Sequence, residues 1–217
     1  MPPFTPLFIN GQEVSSSTGR QFEVRNPLSG EVVGTAASAT SEDCKAAIVS
    51  ASNAFKVWSQ TSLGTRRDLL LQAADLVTTD KYKNKILQCV REETGTSNMM
   101  GTFSWMIAAA YLRASATLVG DLRGERFNSD RSPGTVVWTE KRPLGVIFSQ
   151  SPWNAPITLT LRGVIVPILC GNAVVFKAAE LSPRSGSIVY ELFKEAGFPD
   201  GVFNFVSISR QDTVRHD

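Results

Sequence analysis

Between Pro143 and Val206 the sequence alternates short apolar runs with longer stretches, and this alternation decides the fold. The short runs are GVIF at 145–148, AVVF at 173–176 and VFNFV at 202–206, and the longer stretches are ITLTLRGVIVPIL at 157–169 and PRSGSIVYELFKEA at 183–196. The order strand, helix, strand, helix, strand is typical of a parallel sheet with right-handed crossovers. We therefore predict an α/β fold in which residues 131–217 form a βαβαβ half of a doubly wound parallel sheet. Because an open parallel sheet usually has more strands, we expect this sheet to be incomplete.

The residues before this half predict two further regions. Asn10-Gly11 forms a turn between apolar residues and residues 22–25 alternate in polarity, so we expect a β-rich arm over residues 1–40. Capping residues followed by apolar faces predict a helical region over residues 41–120. After its first helix, this region is expected to contain helices at about 65–78, 81–92 and 98–118. The polar, glycine-containing stretch 120–133 is predicted to be a loop.

Length and composition bound the class of protein. The 217 residues are 42% hydrophobic, and 22 basic against 20 acidic side chains leave a formal net charge of +2. A chain of this length can bury a core. Its hydrophobic content disfavours a disordered tail, and its nearly equal numbers of basic and acidic side chains disfavour a nucleic-acid binder that depends on bulk charge. The longest apolar run, residues 105–112, is far shorter than a membrane span. We expect a soluble, cytoplasmic protein with no nucleic-acid or membrane partner.

Cysteine and histidine usage excludes several kinds of catalytic site. Cys44, Cys89 and Cys170 are too far apart for a CxxC pair, and an odd count does not indicate a disulfide framework. The only histidine is His216, so counting excludes a Ser-His-Asp triad, a Cys-His pair or a multi-histidine metal site within the body of the chain. We interpret Cys170, which follows an apolar run, as a buried core thiol rather than a nucleophile. No metal site is predicted.

Two polar segments follow the first two predicted strands of the parallel sheet. The first segment is SQSPWNAP at 149–156 and the second is KAAE at 177–180. In open α/β sheets ligands bind at the carboxyl ends of the strands. Since one crossover helix separates the two strands, we expect both segments at the same edge, where together they can line one crevice.

Asn154 is a candidate for stabilising a developing negative charge. Pro152 and Pro156 restrict the backbone on both sides of Asn154 and so orient its amide. An amide N–H held in this way can donate to an oxygen that gains charge during attack on a carbonyl, as in an oxyanion hole. The alternative is that Asn154 caps the next helix and the prolines only shape the turn, and the residues alone favour this alternative.

Lys177 and Glu180 are candidates for binding a nucleotide ribose. An ammonium and a carboxylate three residues apart at the mouth of a strand can both hydrogen-bond its vicinal hydroxyls, and the carboxylate repels a ribose phosphate. The alternative is a surface ion pair worth about 0 to 1 kcal/mol. None of the 16 glycines forms a GxG pair, so a dinucleotide at this edge binds without the usual glycine-rich loop.

Several motifs in order along the chain resemble one protein family. They are ING at 9–11, NPLSGE at 26–31, AFKVW at 54–58, PLGV at 143–146, SPWNAP at 151–156, CGNAVVFKAAE at 170–180 and EAGFPDGVFN at 195–204. The series is similar to the N-terminal portion of the NAD(P)-dependent aldehyde dehydrogenase superfamily. The Pro-Trp-Asn-Ala-Pro form with Arg162 downstream most resembles the salicylaldehyde and vanillin dehydrogenase branch. The resemblance implies that residues 1–217 are a truncated cofactor-binding domain with the family's variant of the Rossmann fold.

The resemblance also implies roles for individual residues at the cofactor. Asn154 matches the family's oxyanion-hole asparagine, and Lys177 and Glu180 match the residues that hold the adenosine ribose. Four residues match the family's stretch whose backbone contacts the nicotinamide side of the cofactor: Gln150, Ser151, Pro152 and Trp153. The implied cofactor is NAD, with NADP less favoured because Glu180 repels a ribose phosphate.

Two further residues match positions near the aldehyde tunnel of aromatic-aldehyde members. They are Trp105 and Arg162. On the residues alone, Trp105 fits a core position better, because it lies in a stretch of small and aromatic residues with helical spacing.

The resemblance implies NAD(P)-dependent oxidation of an aldehyde, with an aromatic aldehyde favoured, to a carboxylic acid. The family's cysteine nucleophile, its water-activating glutamate and its oligomerisation segment match no residue here. We therefore expect the chain by itself to be inactive and to lack the segment through which full-length relatives form homo-oligomers. A second hypothesis is a non-catalytic remnant that binds nucleotide or serves as an interaction partner. A third is coincidence in an unrelated α/β protein, which predicts no nucleotide binding.

Overall fold

The computed structural model describes residues 2–213, so His216 lies outside the described residues. The strands are β1 (Phe4–Thr5), β2 (Leu7–Ile9), β3 (Gln12–Val14), β4 (Gln21–Arg25), β5 (Val32–Ala37), β6 (Arg126–Asn128), β7 (Val136–Trp138), β8 (Val146–Gln150), β9 (Ala173–Lys177) and β10 (Phe203–Val206). The helices are α1 (Ser41–Trp58), α2 (Leu63–Val77), α3 (Asp80–Thr94), α4 (Asn98–Thr117), α5 (Pro156–Leu169), α6 (Pro183–Glu195) and α7 (Arg210–Thr213). A 3₁₀ turn, Leu118–Leu122, follows α4.

The main sheet has five strands in the order β3-β2-β10-β9-β8. Strands β8, β9 and β10 are parallel neighbours, and α5 and α6 are the crossovers between them. All four residues of β10 and four of the five in β9 are buried, as expected for strands covered on both faces. The predicted α/β fold with a βαβαβ unit is confirmed.

The β-rich arm predicted over residues 1–40 contributes strands to two sheets. Strand β2 pairs antiparallel with β10 at Phe8 and Phe205, so the hairpin of β2 and β3 extends the main sheet. Strands β1, β5 and β4 form a second sheet in that order. The predicted loop at 120–133 contains β6, which pairs with β7. The run Arg126-Phe127-Asn128 is too short and too polar to show a strand pattern in the sequence.

Strand β8 is an edge of the main sheet in the part of the chain that the structure describes. It pairs with β9 on one side, and Phe148 at its middle is 64% exposed. No residue of β8 is fully buried, whereas β9 beside it is almost entirely buried. An edge strand with exposed apolar residues can accept a further strand. The exposed edge at β8 agrees with the expectation of an incomplete sheet.

Asn172 fixes the start of β8. Its Oδ1 accepts hydrogen bonds from the backbone N–H groups of Leu144 (2.7 Å) and Gly145 (2.9 Å), and its Nδ2 donates to the carbonyl of Pro167 (3.0 Å). The side chain thus joins the entry to β8 with the end of α5. In the sequence Asn172 is only a member of the motif at 170–180, and no neighbouring residue indicates that its side chain connects β8 to α5.

Replacing Asn172 by alanine is expected to lower the free energy of unfolding by about 2 kcal/mol, because two backbone N–H groups lose their acceptor. Urea denaturation followed by circular dichroism measures the change. The matched control is Asn53→Ala, since the side chain of Asn53 is exposed on α1 and, among residues 2–213, accepts only from Lys56. The control is expected to change stability by less than about 0.5 kcal/mol. Equal losses in the two variants would contradict the bridging role.

Candidate functional site

The carboxyl ends of β8 and β9 lie side by side. Gln150, the last residue of β8, is the register partner of Lys177, the last residue of β9, and Lys177 is in turn the partner of Val206 in β10. The segment that follows Gln150 therefore begins next to Lys177. The two polar segments share one edge of the sheet, as the sequence predicts.

Asn154 lies in the bend between β8 and α5. The residue at the N-cap of α5 is Ala155, which makes no side-chain capping bond, and Pro156 is the first helical residue. The capping alternative for Asn154 is therefore wrong. Its side chain is exposed, and among residues 2–213 its amide has no hydrogen-bond partner. The amide remains able to donate to a bound molecule.

Lys177 and Glu180 face each other across the turn that follows β9. Lys177 Nζ lies 3.8 Å from Glu180 Oε2, and the two side chains are 17% and 35% exposed. This separation is longer than a charge-assisted hydrogen bond, so the ion pair is weak. A donor and an acceptor at this spacing fit two neighbouring hydroxyls, since the ammonium can donate to one oxygen and the carboxylate can accept from an O–H. The side chains present therefore fit a ribose.

The four residues that directly precede Asn154 are all at least partly exposed. Gln150 and Pro152 are exposed, Ser151 is partly exposed, and the Trp153 ring is half-exposed. Together with Phe148 on β8 they leave a bound molecule accessible from the edge of the sheet. The site is a ledge rather than a closed pocket.

The cysteines lie away from this ledge or are poor nucleophiles. Cys170 follows α5 and lines a cleft of about 640 Å³ with Lys141 and Pro143, next to the opposite end of β8 from Asn154. It is half-buried rather than fully buried as predicted. Burial raises the pKa of the Cys170 thiol and of the Cys44 thiol, and it raises the pKa of Cys89 to about 12. The three thiols are therefore neutral near pH 7, and a neutral thiol is a weak nucleophile.

Trp105 and Arg162 have different surroundings. Trp105 Nε1 donates to the carbonyl of Val77 at 2.7 Å, and Lys83 Nζ lies 4.8 Å from the Trp105 ring centroid. These contacts hold the ring against α2 and α3 and agree with the core interpretation of Trp105. Arg162 is exposed on α5, and no ion pair of its guanidinium occurs within the described chain.

Glu93 is a buried charged residue that the sequence analysis misses. It lies in the last turn of α3 and is 3% exposed. Its Oε1 accepts from the backbone N–H of Arg184 (2.9 Å), and its Oε2 accepts from the backbone N–H (2.7 Å) and hydroxyl (2.6 Å) of Ser185. Burial raises the pKa of Glu93 to about 7, although these hydrogen bonds lower it. The signal in the sequence is Glu92-Glu93 at a helix C-terminus, where the helix dipole disfavours carboxylates.

Residues 2–213 also bear on metal binding and membrane insertion. Within that range no three or more His, Cys, Asp or Glu side chains group in a way that could hold a metal ion. No helix in the same range has both the length and the apolar character needed to cross a membrane.

Comparison with known proteins gives a consistent match. The sequence profile of the family described as the aldehyde dehydrogenase family matches residues 14–216. Vanillin dehydrogenase of Pseudomonas fluorescens is 37% identical over 210 residues, which cover 97% of this chain and 43% of that protein. The chain therefore spans less than half the length of this relative.

Solved structures give the same result for the fold. A salicylaldehyde dehydrogenase from Pseudomonas putida G7, complexed with salicylaldehyde, matches with a TM-score of 0.92 and 34% identity over 97% of this chain and 43% of its own. NADP-dependent glyceraldehyde-3-phosphate dehydrogenase from Bacillus halodurans C-125, complexed with NADP, matches with a TM-score of 0.89 and 28% identity over 95% of this chain and 44% of its own. The predicted resemblance to the salicylaldehyde and vanillin dehydrogenases is confirmed. The chain belongs to the aldehyde dehydrogenase family.

Proposed function

We propose that this chain carries the cofactor-binding part of an aldehyde dehydrogenase that uses NAD and oxidises an aromatic aldehyde to the carboxylic acid. The observation that carries the proposal is the pairing of Gln150 with Lys177. This pairing brings the segment of Asn154, whose amide has no partner in the described part of the chain, to the strand end that bears the weak Lys177–Glu180 pair. A nicotinamide dinucleotide fits the family, and the choice of NAD over NADP is part of the proposal.

In this proposal Lys177 and Glu180 hold the adenosine ribose. The ammonium of Lys177 donates to one hydroxyl oxygen, and the carboxylate of Glu180 accepts from the neighbouring hydroxyl. A phosphate on that ribose would meet the Glu180 carboxylate, and two like charges in contact disfavour binding. The partly buried position of Lys177 supports the arrangement, because the surrounding protein limits where its ammonium can reach.

Asn154 is assigned to the reacting carbonyl. Its amide N–H donates to the aldehyde oxygen as negative charge develops there, which stabilises the transition state more than the ground state. The bound dinucleotide supplies the hydride acceptor, and the backbone of Gln150, Ser151, Pro152 and Trp153 is assigned to its nicotinamide side. The nucleophile and the water-activating base are assigned to residues outside this chain, since the pKa of each of its thiols is raised.

The aromatic substrate is proposed from the chemistry of the ledge and from the named relatives. The half-exposed ring of Trp153 beside Asn154 offers a face on which an aromatic aldehyde can stack. Arg162, exposed on α5, is assigned to the substrate as a donor to its polar substituents. The assignment of Trp105 to the substrate tunnel is kept as a weaker part of the proposal, because its indole N–H already binds Val77.

The proposal is tested by titrating the chain with NAD and with NADP in a calorimeter. We expect NAD to bind and Lys177→Ala to weaken it about tenfold, because a charge-assisted hydrogen bond is lost. Glu180→Gln is expected to raise the affinity for NADP relative to NAD about tenfold, because it removes a like charge. The chain is expected to form no NADH when an aromatic aldehyde is added.

The matched control for Lys177 is Lys56→Ala, since Lys56 is an exposed lysine in the last turn of α1, and this end of α1 lies next to the C-terminal end of α5 through the bond from Trp58 to Ile168, away from the carboxyl ends of the strands. It is expected to leave the affinity for NAD unchanged. Failure of the unaltered chain to bind either dinucleotide, or the same affinity in both lysine variants, would refute the proposal.

A further inference from the structure

We propose that Glu93, on α3, is a positioning residue that sets the preference for NAD over NADP by fixing the turn that carries Glu180. This inference rests on the proposed function, because it assigns a cause to the cofactor preference of the same site. The juxtaposition that carries it is a buried carboxylate of one helix against the first turn of another.

Glu93 occupies the free N–H groups of the first turn of α6. Pro183, the first residue of α6, has no backbone N–H, and the next two N–H groups, of Arg184 and Ser185, both donate to the Glu93 carboxylate. The first bond within the helix comes only at Gly186, whose N–H donates to the carbonyl of Ser182. Glu93 thus replaces the capping residue that normally stands directly before a helix in the sequence.

No side chain next to the start of α6 accepts hydrogen bonds from the backbone N–H groups of its first turn, within residues 2–213. Ser182 stands at the N-cap, but it makes no side-chain capping bond, and its buried hydroxyl has no partner within residues 2–213. Arg184 pairs with Glu92 through its guanidinium, and this ion pair involves none of the backbone N–H groups of the first turn. The position of the first turn of α6 therefore depends on Glu93.

Glu180 lies in a five-residue turn with one anchor at each end. At the start of the turn, the N–H of Ala178 donates to the carbonyl of Val206 (2.9 Å), which ties it to the sheet. At the end, the turn runs into the first residues of α6, whose backbone N–H groups at Arg184 and Ser185 donate to Glu93, while the N–H of Ser182 donates to the carbonyl of Ala179 (3.2 Å) within the turn itself. With both ends fixed, the carboxylate of Glu180 stays 3.8 Å from Lys177 Nζ.

Selectivity depends on this fixed position. A carboxylate held at the ribose rejects a ribose phosphate, whereas a carboxylate on a mobile turn can move away from it. Loosening the second anchor lowers the fraction of molecules in the binding-competent state, and the apparent affinity falls by that fraction. Affinity for NAD should then fall while affinity for NADP falls less or rises.

The first arm of the test measures hydrogen exchange at residues 178–185 without nucleotide. Glu93→Gln keeps the volume of the side chain. Each carboxylate oxygen accepts from a different backbone N–H group, and the substitution replaces one of these oxygens by an NH2 group that cannot accept. We expect exchange in this segment to be about tenfold faster than in the unaltered protein. The control is Glu92→Gln, which removes the ion pair to the side chain of Arg184 and leaves the backbone bonds. Unchanged exchange in Glu93→Gln, or an equal change in the control, would overturn the inference whether or not nucleotide binds.

The second arm measures the ratio of NAD affinity to NADP affinity. Glu93→Gln is expected to lower this ratio about tenfold, by the same loss of the competent state. In a Glu180→Gln background it is expected to leave the ratio unchanged, because the charge that it positions is gone. A role in stability alone would weaken both dinucleotides equally, and that result would refute positioning. Binding of neither dinucleotide by the unaltered chain would refute the proposed function, while the exchange arm still decides the role of Glu93.

Circular dichroism shows whether Glu93→Gln still folds. If it does not, a milder variant tests the same inference. Ser185→Ala removes the hydroxyl that donates to Glu93 Oε2 and leaves both backbone bonds. We expect faster exchange at residues 178–185 by about twofold to threefold. Exchange identical to that of the unaltered protein would count against the inference.

Discussion

Replacing Phe176 by alanine is expected to lower the free energy of unfolding by about 3 to 5 kcal/mol. Phe176 lies in β9, at the centre of the parallel strands, and its side chain is fully buried. Its ring centroid lies 6.1 Å from that of Phe205 and 6.3 Å from that of Phe203. Alanine would remove these contacts and leave a cavity between sheet and helices, because packed surroundings relax only in part.

The matched control is Phe148→Ala on the neighbouring strand. Phe148 pairs with Val175 in the register of β8 and β9, yet it is 64% exposed at the open edge. We expect less than about 0.5 kcal/mol of change there. Urea denaturation followed by tryptophan fluorescence compares the two variants. Similar midpoints for Phe176→Ala and Phe148→Ala would contradict the position of β9 at the centre of the core.

Raising the pH from about 5 to about 8 is expected to destabilise the protein by about 3 kcal/mol relative to its Glu93→Gln variant. Burial raises the pKa of Glu93 from 4.5 to about 7 in the folded protein. Between these two values the folded protein keeps a proton that the unfolded chain has released. The stabilisation from this proton is complete below the unfolded pKa and is lost as the pH rises through the folded pKa.

Urea denaturation of both proteins at several pH values in this range measures the difference. The control is Glu92→Gln, since Glu92 lies next to Glu93 and forms a partly buried ion pair with Arg184, and it should keep the pH dependence of the unaltered protein. Stability that rises with pH relative to Glu93→Gln would mean that hydrogen bonds outweigh burial and that the pKa of Glu93 is low. In that case the Glu93 carboxylate that holds the start of α6 would stay charged over this pH range.

The helices and the parallel strands could be predicted because their signals are local. The helix predicted at 98–118 is observed at Asn98–Thr117, and the one predicted at 183–196 is observed at Pro183–Glu195. The hydrophobic periodicity and the capping residues of a helix both lie within one stretch of chain. They can therefore be recognised without knowing which other element the helix contacts. Strand β6 escaped prediction because its three exposed residues carry no such period.

The candidate site was predictable in part for a similar reason. Asn154 and Lys177 each follow an apolar run, and the rule that ligands bind at strand carboxyl ends brings them to one edge. The sequence could not decide between a cap and a free amide for Asn154, because the alternatives differ only in backbone geometry. The observed N-cap at Ala155 separates them.

By itself the sequence determined the strand and helix order of the parallel half, the two segments at the strand ends and, through motifs along the whole chain, the family, since each signal lies in a short local stretch. Only the tertiary structure decided that β2 joins the sheet beside β10 and that Glu93 holds the start of α6. Glu93 and Arg184 are 91 residues apart in the chain. Contacts across such a distance arise from packing of the whole fold, and packing leaves no periodic trace in either segment alone.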